Sequence, residues 1–184
     1  MVIHVDDSTI AVKKSMVEEI KKAIDKRLSI KDEGRLSKHL GVRYEWNADG
    51  SLTMHQKDYI ADIITTYEKF GECINFPTPG YPGKCLLKRE GESVDVTGYR
   101  SFVGKILFAM KNTYPELMNA ARELSSYMEN PGEEHWKSIG PMVGYLKHEA
   151  EHCLRFNRPK YLTIVSIVDS DFATKKDTQK STTG

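Results

Sequence analysis

The sequence has no long apolar run and few cysteines, and each shortage excludes a class of protein. No hydrophobic stretch reaches the roughly 18 residues that a membrane span requires. The first residues carry two aspartates and no basic segment before them, so we expect no signal peptide. The cysteines Cys73, Cys85 and Cys153 are odd in number and widely spaced, which favours reduced thiols over a disulfide framework. These features predict a cytoplasmic or nuclear protein without a membrane partner.

The chain also lacks an excess of either charge. Its 27 Lys and Arg residues nearly balance 26 Asp and Glu residues, giving a net charge of +1. A basic surface for nucleic acid would therefore have to be local. The composition is 39% hydrophobic and 29% charged, which is ordinary for a globular protein that buries a core. Residues 71–95, rich in proline and glycine, form the best internal boundary.

The hydrophobic periodicity predicts an α+β order of elements. Apolar residues at helical spacing behind the capping-box pattern of Ser15 and Glu18 predict a helix over 16–28. Alternating residues predict strands over 40–46 and 51–55, joined by a hairpin turn over 47–50. The remaining predicted elements are helices over 57–70 with Gly71 as C-cap, 96–112, 115–129 and 132–148, and strands over 153–157 and 161–168.

The last predicted helix contains an internal glycine and proline, Gly140-Pro141. An interior proline removes a backbone hydrogen bond and costs roughly 3 kcal/mol or more. We therefore expect the helix over 132–148 to kink or break near Gly140.

Two adjacent aspartates, Asp6 and Asp7, lie between two β-rich arms at the start of the chain. This pattern predicts a β-hairpin that holds both carboxylates at its tip. Paired carboxylates can hold Mg²⁺ against phosphate, because Mg²⁺ prefers hard oxygen ligands from one or two carboxylates and the substrate. The alternative is an ordinary hairpin turn, since aspartate is common in turns.

An ordered series of motifs gives a resemblance to a known family. Its members are Val5-Asp6-Asp7, His39-Leu40-Gly41-Val42, Gln56-Lys57-Asp58-Tyr59-Ile60, Thr78-Pro79, Tyr99-Arg100-Ser101-Phe102-Val103-Gly104, Pro131-Gly132-Glu133-Glu134-His135-Trp136-Lys137, Tyr145-Leu146-Lys147, Asp169-Ser170-Asp171-Phe172-Ala173 and Ser181-Thr182-Thr183-Gly184. In this order and spacing the chain resembles the reverse transcriptase and ribonuclease H region of copia-type LTR retrotransposon polyproteins. The match is collinear over nearly the whole chain.

The resemblance implies three parts. Residues 1–55 would be the last part of a polymerase palm with a primer-grip-like hairpin, and residues 56–150 a helical thumb and connection. Residues 151–184 would be the start of a ribonuclease H-like domain. The implied partners are an RNA or DNA template-primer and the other segments of the polyprotein.

The resemblance also implies roles for individual acids. Asp6 would be a direct Mg²⁺ ligand of a two-metal polymerase site and Asp7 its supporting neighbour, a weak site on their own. Asp169 matches the first metal-binding acid of ribonuclease H. His4 stands where the family usually has tyrosine, so the aromatic contact near primer and nucleotide would change.

Further expected contacts involve the primer strand and the duplex backbone. Leu40, Gly41 and Val42 resemble the primer-grip turn, where glycine permits close backbone approach; the alternative is a glycine bulge in an ordinary strand. Phosphate contacts of a thumb need basic side chains. The candidates are Lys105, Lys111 and Arg122, with Lys137, Lys147 and Arg155 as further ones. The alternative for each is a solvated mixed face, because glutamates are interleaved.

We expect the isolated chain to lack polymerase activity, since the fingers, the separate palm aspartate and most ribonuclease H acids would lie outside it. Two non-enzymatic interpretations compete with a polymerase fragment. One is a nucleic-acid-binding module, and the other is a structural relic that self-associates through exposed apolar surface.

Histidine and cysteine side chains near the C-terminal part raise a zinc alternative. His148, His152 and Cys153 are close in sequence, but no second cysteine pair has zinc-ligand spacing. The pair His135-Trp136 is better explained by core packing than by base stacking, since Trp136 begins an apolar helical stripe.

Overall fold

The computed structural model of the chain describes residues 2–5, 7–81, 86–87, 94–158, 160–161 and 166. Its fold is mixed α+β, which confirms the predicted class. Within those ranges the elements are β1 (Val2–His4), β2 (Asp7–Thr9), α1 (Val17–Leu28), β3 (Lys38–His39), β4 (Val42–Trp46), β5 (Leu52–His55), α2 (Lys57–Tyr67), α3 (Val96–Asn112), α4 (Met118–Ser125), α5 (Glu133–Lys137), α6 (Ile139–His148) and β6 (Leu154–Phe156).

The strands form two separate antiparallel sheets. β1 and β2 make a two-stranded hairpin, and the other sheet has the order β3-β4-β5-β6. The predicted turn between β4 and β5 is confirmed, because the Gly50 N–H donates to the Asn47 carbonyl over 3.0 Å. β6 joins the sheet beside β5, although about 100 residues separate them. The second predicted C-terminal strand, over 161–168, lies almost wholly outside the described residues.

The predicted strand over 40–46 is wrong at its start. Leu40 and Gly41 form a two-residue turn between β3 and β4, with φ values of 47° and 77°. Two central residues with positive φ are typical of the tight hairpin turn whose twist matches the flanking strands. The strand begins only at Val42, so the glycine lies in a hairpin turn and not in a strand bulge.

The hydrophobic core lies among the helices α2, α3, α4 and α6. Its side chains follow the predicted helical periodicity, and the segment 115–117 adds a short 3₁₀ turn that begins at Pro115. The core residues with no more than 1% exposure include Ile60, Ile63, Tyr99, Val103, Ile106, Ala109, Tyr114, Leu117, Ala121, Ile139, Met142, Val143 and Leu146. Trp136 packs edge-on against Phe102 at a centroid distance of 6.0 Å, which confirms its packing role.

The predicted helix over 132–148 is interrupted, as expected from Gly140-Pro141, but the break is at Ser138. The segment is divided into α5 and α6, and Ser138 is the N-cap of α6. Pro141 is therefore the third residue of α6. The N–H groups of the first residues of an α-helix have no hydrogen-bond acceptor within that helix. The proline therefore loses no helical hydrogen bond, and the expected cost is avoided by starting a new helix.

Three predicted helix ends are wrong. Ser15 forms no capping hydrogen bond; residues Lys14–Met16 form a 3₁₀ turn, and Met16 precedes α1. α2 ends at Tyr67 with Glu68 in a right-handed conformation, so Gly71 is not a left-handed cap. The helix predicted over 115–129 also ends early, at Ser125.

The described part of the connection over 71–95 is packed on the helices. The Phe76 N–H donates to the Gly144 carbonyl over 3.2 Å, and Lys147 Nζ donates to the Cys73 carbonyl over 3.0 Å. The Leu86 N–H donates to Glu123 over 2.7 Å. Cys73 and Cys153 are free thiols, as predicted, while Cys85 is outside the described part. In that same part, every helix is too short or too polar to cross a membrane.

Candidate functional site

The predicted acidic hairpin is present at the start of the chain. His4 and Asp7 face each other across it and flank the turn, in which Val5 has a φ of 50°. A β-branched residue rarely adopts this left-handed conformation, so the turn is strained. Asp7 is exposed as the first residue of β2. Asp6 and the predicted ribonuclease H acid Asp169 lie outside the described residues.

The described acids do not by themselves fit a magnesium site. Of the three acids predicted to bind metal, only Asp7 is among the described residues, and one exposed carboxylate is a poor Mg²⁺ site. In the ranges that the structure describes, no three His, Cys, Asp or Glu side chains are grouped so that they could hold a metal ion. The zinc alternative gains no support either, because the His152 ring lies against Tyr114 at a centroid distance of 5.1 Å.

The primer-grip-like residues lie at the β3–β4 turn, which is fixed against the helical core. The position of a Cβ on Gly41 would be 3.8 Å from the Phe108 ring of α3. Leu40 is 41% exposed at the tip, whereas the Val42 side chain is 2% exposed. A ligand at this turn could therefore contact the Leu40 side chain and the turn backbone, but not the Val42 side chain.

The three predicted backbone-binding cations have different surroundings. Lys105 Nζ lies 2.7 Å from Asp62, so a phosphate would have to displace an existing ion pair. Lys111 and Arg122 are exposed and form no ion pair with any described carboxylate. They lie on different helices, α3 and α4. Of the three predicted cations, only Lys111 and Arg122 could therefore bind a phosphate without breaking an ion pair to a described carboxylate.

The further basic candidates are also paired. Lys137 lies 2.7 Å from Glu133, Lys147 lies 3.0 Å from Glu68, and Arg155 lies 2.5 Å from Asp49. These ion pairs account for the three side chains as local surface contacts, without a role in nucleic-acid binding. The solvated mixed face that the sequence left open thus describes these three residues.

One face of the four-stranded sheet carries a polar network that sequence reasoning missed. Arg43 donates to Asp58 at the start of α2 over 2.7 and 2.9 Å, and His55 Nε2 lies 3.1 Å from Glu45. The hydrogen bonds from Arg43 lower the pKa of the Asp58 carboxyl. These contacts fix α2 against the sheet. The alternation of residues 43–55 was visible in the sequence, but the partners depend on strand register.

The opposite face of the same sheet is apolar and was also missed. Trp46 is 41% exposed and Phe156 is 50% exposed on this face. The guanidinium carbon of Arg35 lies 3.7 Å from the centroid of the Trp46 ring, and the indole N–H donates to the Leu36 carbonyl. The partly covered residues of this face are Tyr44, Leu52, Met54 and Leu154.

Comparison with known proteins shows full-length similarity to copia-type retrotransposon Pol polyproteins. The chain is 28% identical over its whole length to the retrovirus-related Pol polyprotein from transposon TNT 1-94 of Nicotiana tabacum. It is 27% identical over 99% of its length to a transposon Ty5-1 protein of Saccharomyces cerevisiae. The chain spans 14% of the tobacco polyprotein and 59% of the yeast protein.

A third similar protein is named as a secreted effector and not as a transposon protein. The secreted RxLR effector protein 161 of Plasmopara viticola is 31% identical over 86 residues, which cover 47% of this chain and 61% of the effector. No protein-family model matches the chain, and no solved structure matches it.

Proposed function

We propose that the chain is a segment of the reverse transcriptase of a copia-type retrotransposon Pol polyprotein. The observation that carries the proposal is the similarity to the tobacco Pol polyprotein over 100% of the chain. Residues 1–55 would supply the end of the palm, residues 56–150 the thumb and connection, and residues 151–184 the start of ribonuclease H. The helical core of α2, α3, α4 and α6 is compatible with an independently packed thumb and connection.

In the complete polymerase, Asp6 and Asp7 would act at the palm hairpin, with Mg²⁺ as the cofactor. Mg²⁺ would supply charge stabilisation for nucleotidyl transfer when bound. The contribution of this chain is a short hairpin that exposes Asp7 next to a strained turn. Asp169 would belong to the ribonuclease H site of the same polyprotein.

The proposed partner is an RNA or DNA template-primer. The exposed Leu40 tip and the Gly41 backbone would lie against the primer strand, in the role of a primer grip. Lys111 and Arg122 would meet phosphates, whereas Lys105 would first have to leave Asp62.

Primer extension on the polyprotein tests the proposal. We would read the transcript across both ends of this chain, express the encoded product, and assay Mg²⁺-dependent extension on an RNA template. We expect extension that is lost in Asp6→Asn and kept in the surface control Lys69→Gln. An in-frame product that folds but extends no primer would contradict the proposal. The isolated 184-residue chain is expected to be inactive, and Asp6-dependent extension by it would show otherwise.

A second candidate function, a non-enzymatic nucleic-acid-binding module, is favoured by Lys111 and Arg122, two exposed cations that form no ion pair within the described ranges. Their neutralisation to glutamine should weaken duplex binding and reduce its salt dependence. Lys137→Gln is the matched control, because Lys137 is already paired with Glu133. A gel shift at several salt concentrations distinguishes the module from a relic that does not bind nucleic acid.

A further inference from the structure

The register of the four-stranded sheet places six apolar side chains together on one face. Trp46 is opposite Leu52, and Leu52 is opposite Phe156. The next row on the same face consists of Tyr44, Met54 and Leu154. Residues directly opposite each other in antiparallel strands lie on the same side of a sheet, and so do residues two apart along one strand. The six side chains therefore form a two-by-three array, here named the apolar face.

None of these six side chains belongs to the helical core cluster, whereas Val42, two residues before Tyr44 on the same side of β4, is 2% exposed. Antiparallel sheets usually bury their apolar face against another layer. On this sheet Trp46 and Phe156, in the row nearest the β4–β5 turn, remain 41% and 50% exposed. The row therefore offers the Phe156 ring, and the part of the Trp46 ring that Arg35 does not cover, to a partner outside the core.

Two arginine side chains lie near the exposed row. Arg35 stacks on the Trp46 ring at 3.7 Å. The side chain of Arg158 lies over the turn glycine Gly50, 3.4 Å from where a Cβ would stand. Arg35 and Arg158 form no ion pair with any carboxylate in the described ranges. The neighbouring acid, Asp49, is already neutralised by Arg155.

Acidic side chains are absent from the apolar face among the residues of β4, β5 and β6. Glu45 is on the opposite side of the sheet, where it lies 3.1 Å from His55 Nε2. Among the described residues, this exposed aromatic pair has two arginines without an ion pair at its rim and no acid on the apolar side of β4, β5 and β6, which complements a chain of bases and phosphates. A purely apolar partner would make no use of the arginines.

We propose that the apolar face binds single-stranded nucleic acid, with bases on Trp46 and Phe156 and phosphates at Arg35 and Arg158. Bases stack on exposed aromatic rings whatever their sequence, and a positively charged rim follows the backbone. The preference for nucleic acid over other polyanions rests on the proposed function, but binding itself needs no polymerase activity. This face has no residue in common with the acidic hairpin or with the cations Lys111 and Arg122.

The test uses Trp46 itself as the reporter. The chain has 2 tryptophans, so Trp136→Phe leaves Trp46 as the sole one. We would titrate this variant with oligo(dT) of about 12 nucleotides, within the site size of single-strand binders. We expect saturable quenching of Trp46 emission that weakens with salt. Phe156→Leu should weaken binding about tenfold, the effect of losing one stacked base.

Charge variants and a second signal complete the experiment. Arg35→Gln and Arg158→Gln should each weaken binding and lower its salt dependence. The control Lys69→Gln should have no effect, because Lys69 is exposed in the turn after α2 and forms no ion pair with a described carboxylate. Because Trp136 is packed in the core, anisotropy of a labelled oligonucleotide with the otherwise unaltered chain gives an independent measurement.

Three results would overturn the proposal. They are no binding at low salt, binding unchanged by both Phe156→Leu and Trp46→Leu, or concentration-dependent self-association that buries Trp46 in place of nucleic acid. Failure of primer extension by the polyprotein would leave these results unchanged, so the two proposals fail separately.

Discussion

Replacement of Gly144 by alanine should destabilise the protein more than any other glycine-to-alanine change within its helices. A Cβ at Gly144 would overlap the Ile74 carbonyl oxygen and lie 3.1 Å from Phe76 Cβ. The Ile74 oxygen is backbone, so it can move only if the segment around it leaves α6. That movement would also break the hydrogen bond from the Phe76 N–H to the Gly144 carbonyl.

The expected magnitude follows from three contributions. Overpacking of a filled site costs about 1–3 kcal/mol. Loss of the Phe76 hydrogen bond costs about 1 kcal/mol. Alanine regains about 1 kcal/mol of helix propensity over glycine. We therefore expect Gly144→Ala to lower the free energy of unfolding by about 2 kcal/mol.

Two matched variants isolate the steric contribution. Gly104 lies within α3, and a Cβ there would meet nothing within 4 Å, so Gly104→Ala should stabilise by about 1 kcal/mol. A Cβ at Gly140 would lie 2.7 Å from the Tyr67 hydroxyl, the far end of a side chain that can move. Gly140→Ala should fall between the other two. Urea denaturation followed by circular dichroism measures all three, and a Gly144→Ala protein as stable as Gly104→Ala would refute the reasoning.

Three further predictions concern a turn, a carboxylate and a buried imidazole. Leu40→Asn should stabilise by about 1 kcal/mol in the same denaturation assay, since asparagine tolerates the positive φ of 47°; an unchanged midpoint would count against strain at this turn. The Asp58 pKa is lowered by Arg43, so the pair should contribute stability above the unfolded-state pKa and lose it as pH falls through the folded-state value, which carboxyl NMR titration with an Arg43→Gln control can check. His135→Leu should cost about 2 kcal/mol by thermal unfolding, because buried His135 accepts from the Gly132 N–H over 2.8 Å and donates to the Leu87 carbonyl over 2.9 Å; a wild-type melting temperature would contradict this network.

Helices could be predicted well where one apolar stripe runs without interruption. The bounds of α3 agree with the prediction over 96–112, because Tyr99, Phe102, Val103 and Ile106 repeat at helical spacing and are all buried. The capping box at Ser15 failed for a local reason, since a 3₁₀ turn at Lys14–Met16 already begins the helix. The motif specifies side chains that can cap, but not whether the backbone adopts the required extended conformation.

Contacts between distant segments could not be predicted from periodicity. The Gly140-Pro141 pair indicated a break, but the sequence gives no sign that Gly144 is in contact with Ile74 across the connection. Likewise, alternation predicted β4 and β5, while the apolar face exists only because β6 pairs with β5 at Phe156 and Leu52. The acidic hairpin was predicted because its turn and both arms are adjacent in sequence.

The residues of the sheet and its turns that are proposed to act on nucleic acid lie outside the helical core. The buried helical core comes from residues 60–146, whereas Leu40, Trp46 and Phe156 are between 41% and 50% exposed. Truncating an exposed side chain leaves no cavity, so Phe156→Leu should change binding with little change in unfolding. Gly144→Ala should instead lower stability with little change in binding, since Gly144 belongs to α6 and a Cβ there would meet Ile74 and Phe76 of the connection. A variant set that separated binding from stability in this way would locate function on the sheet and its turns, with the helices as their support.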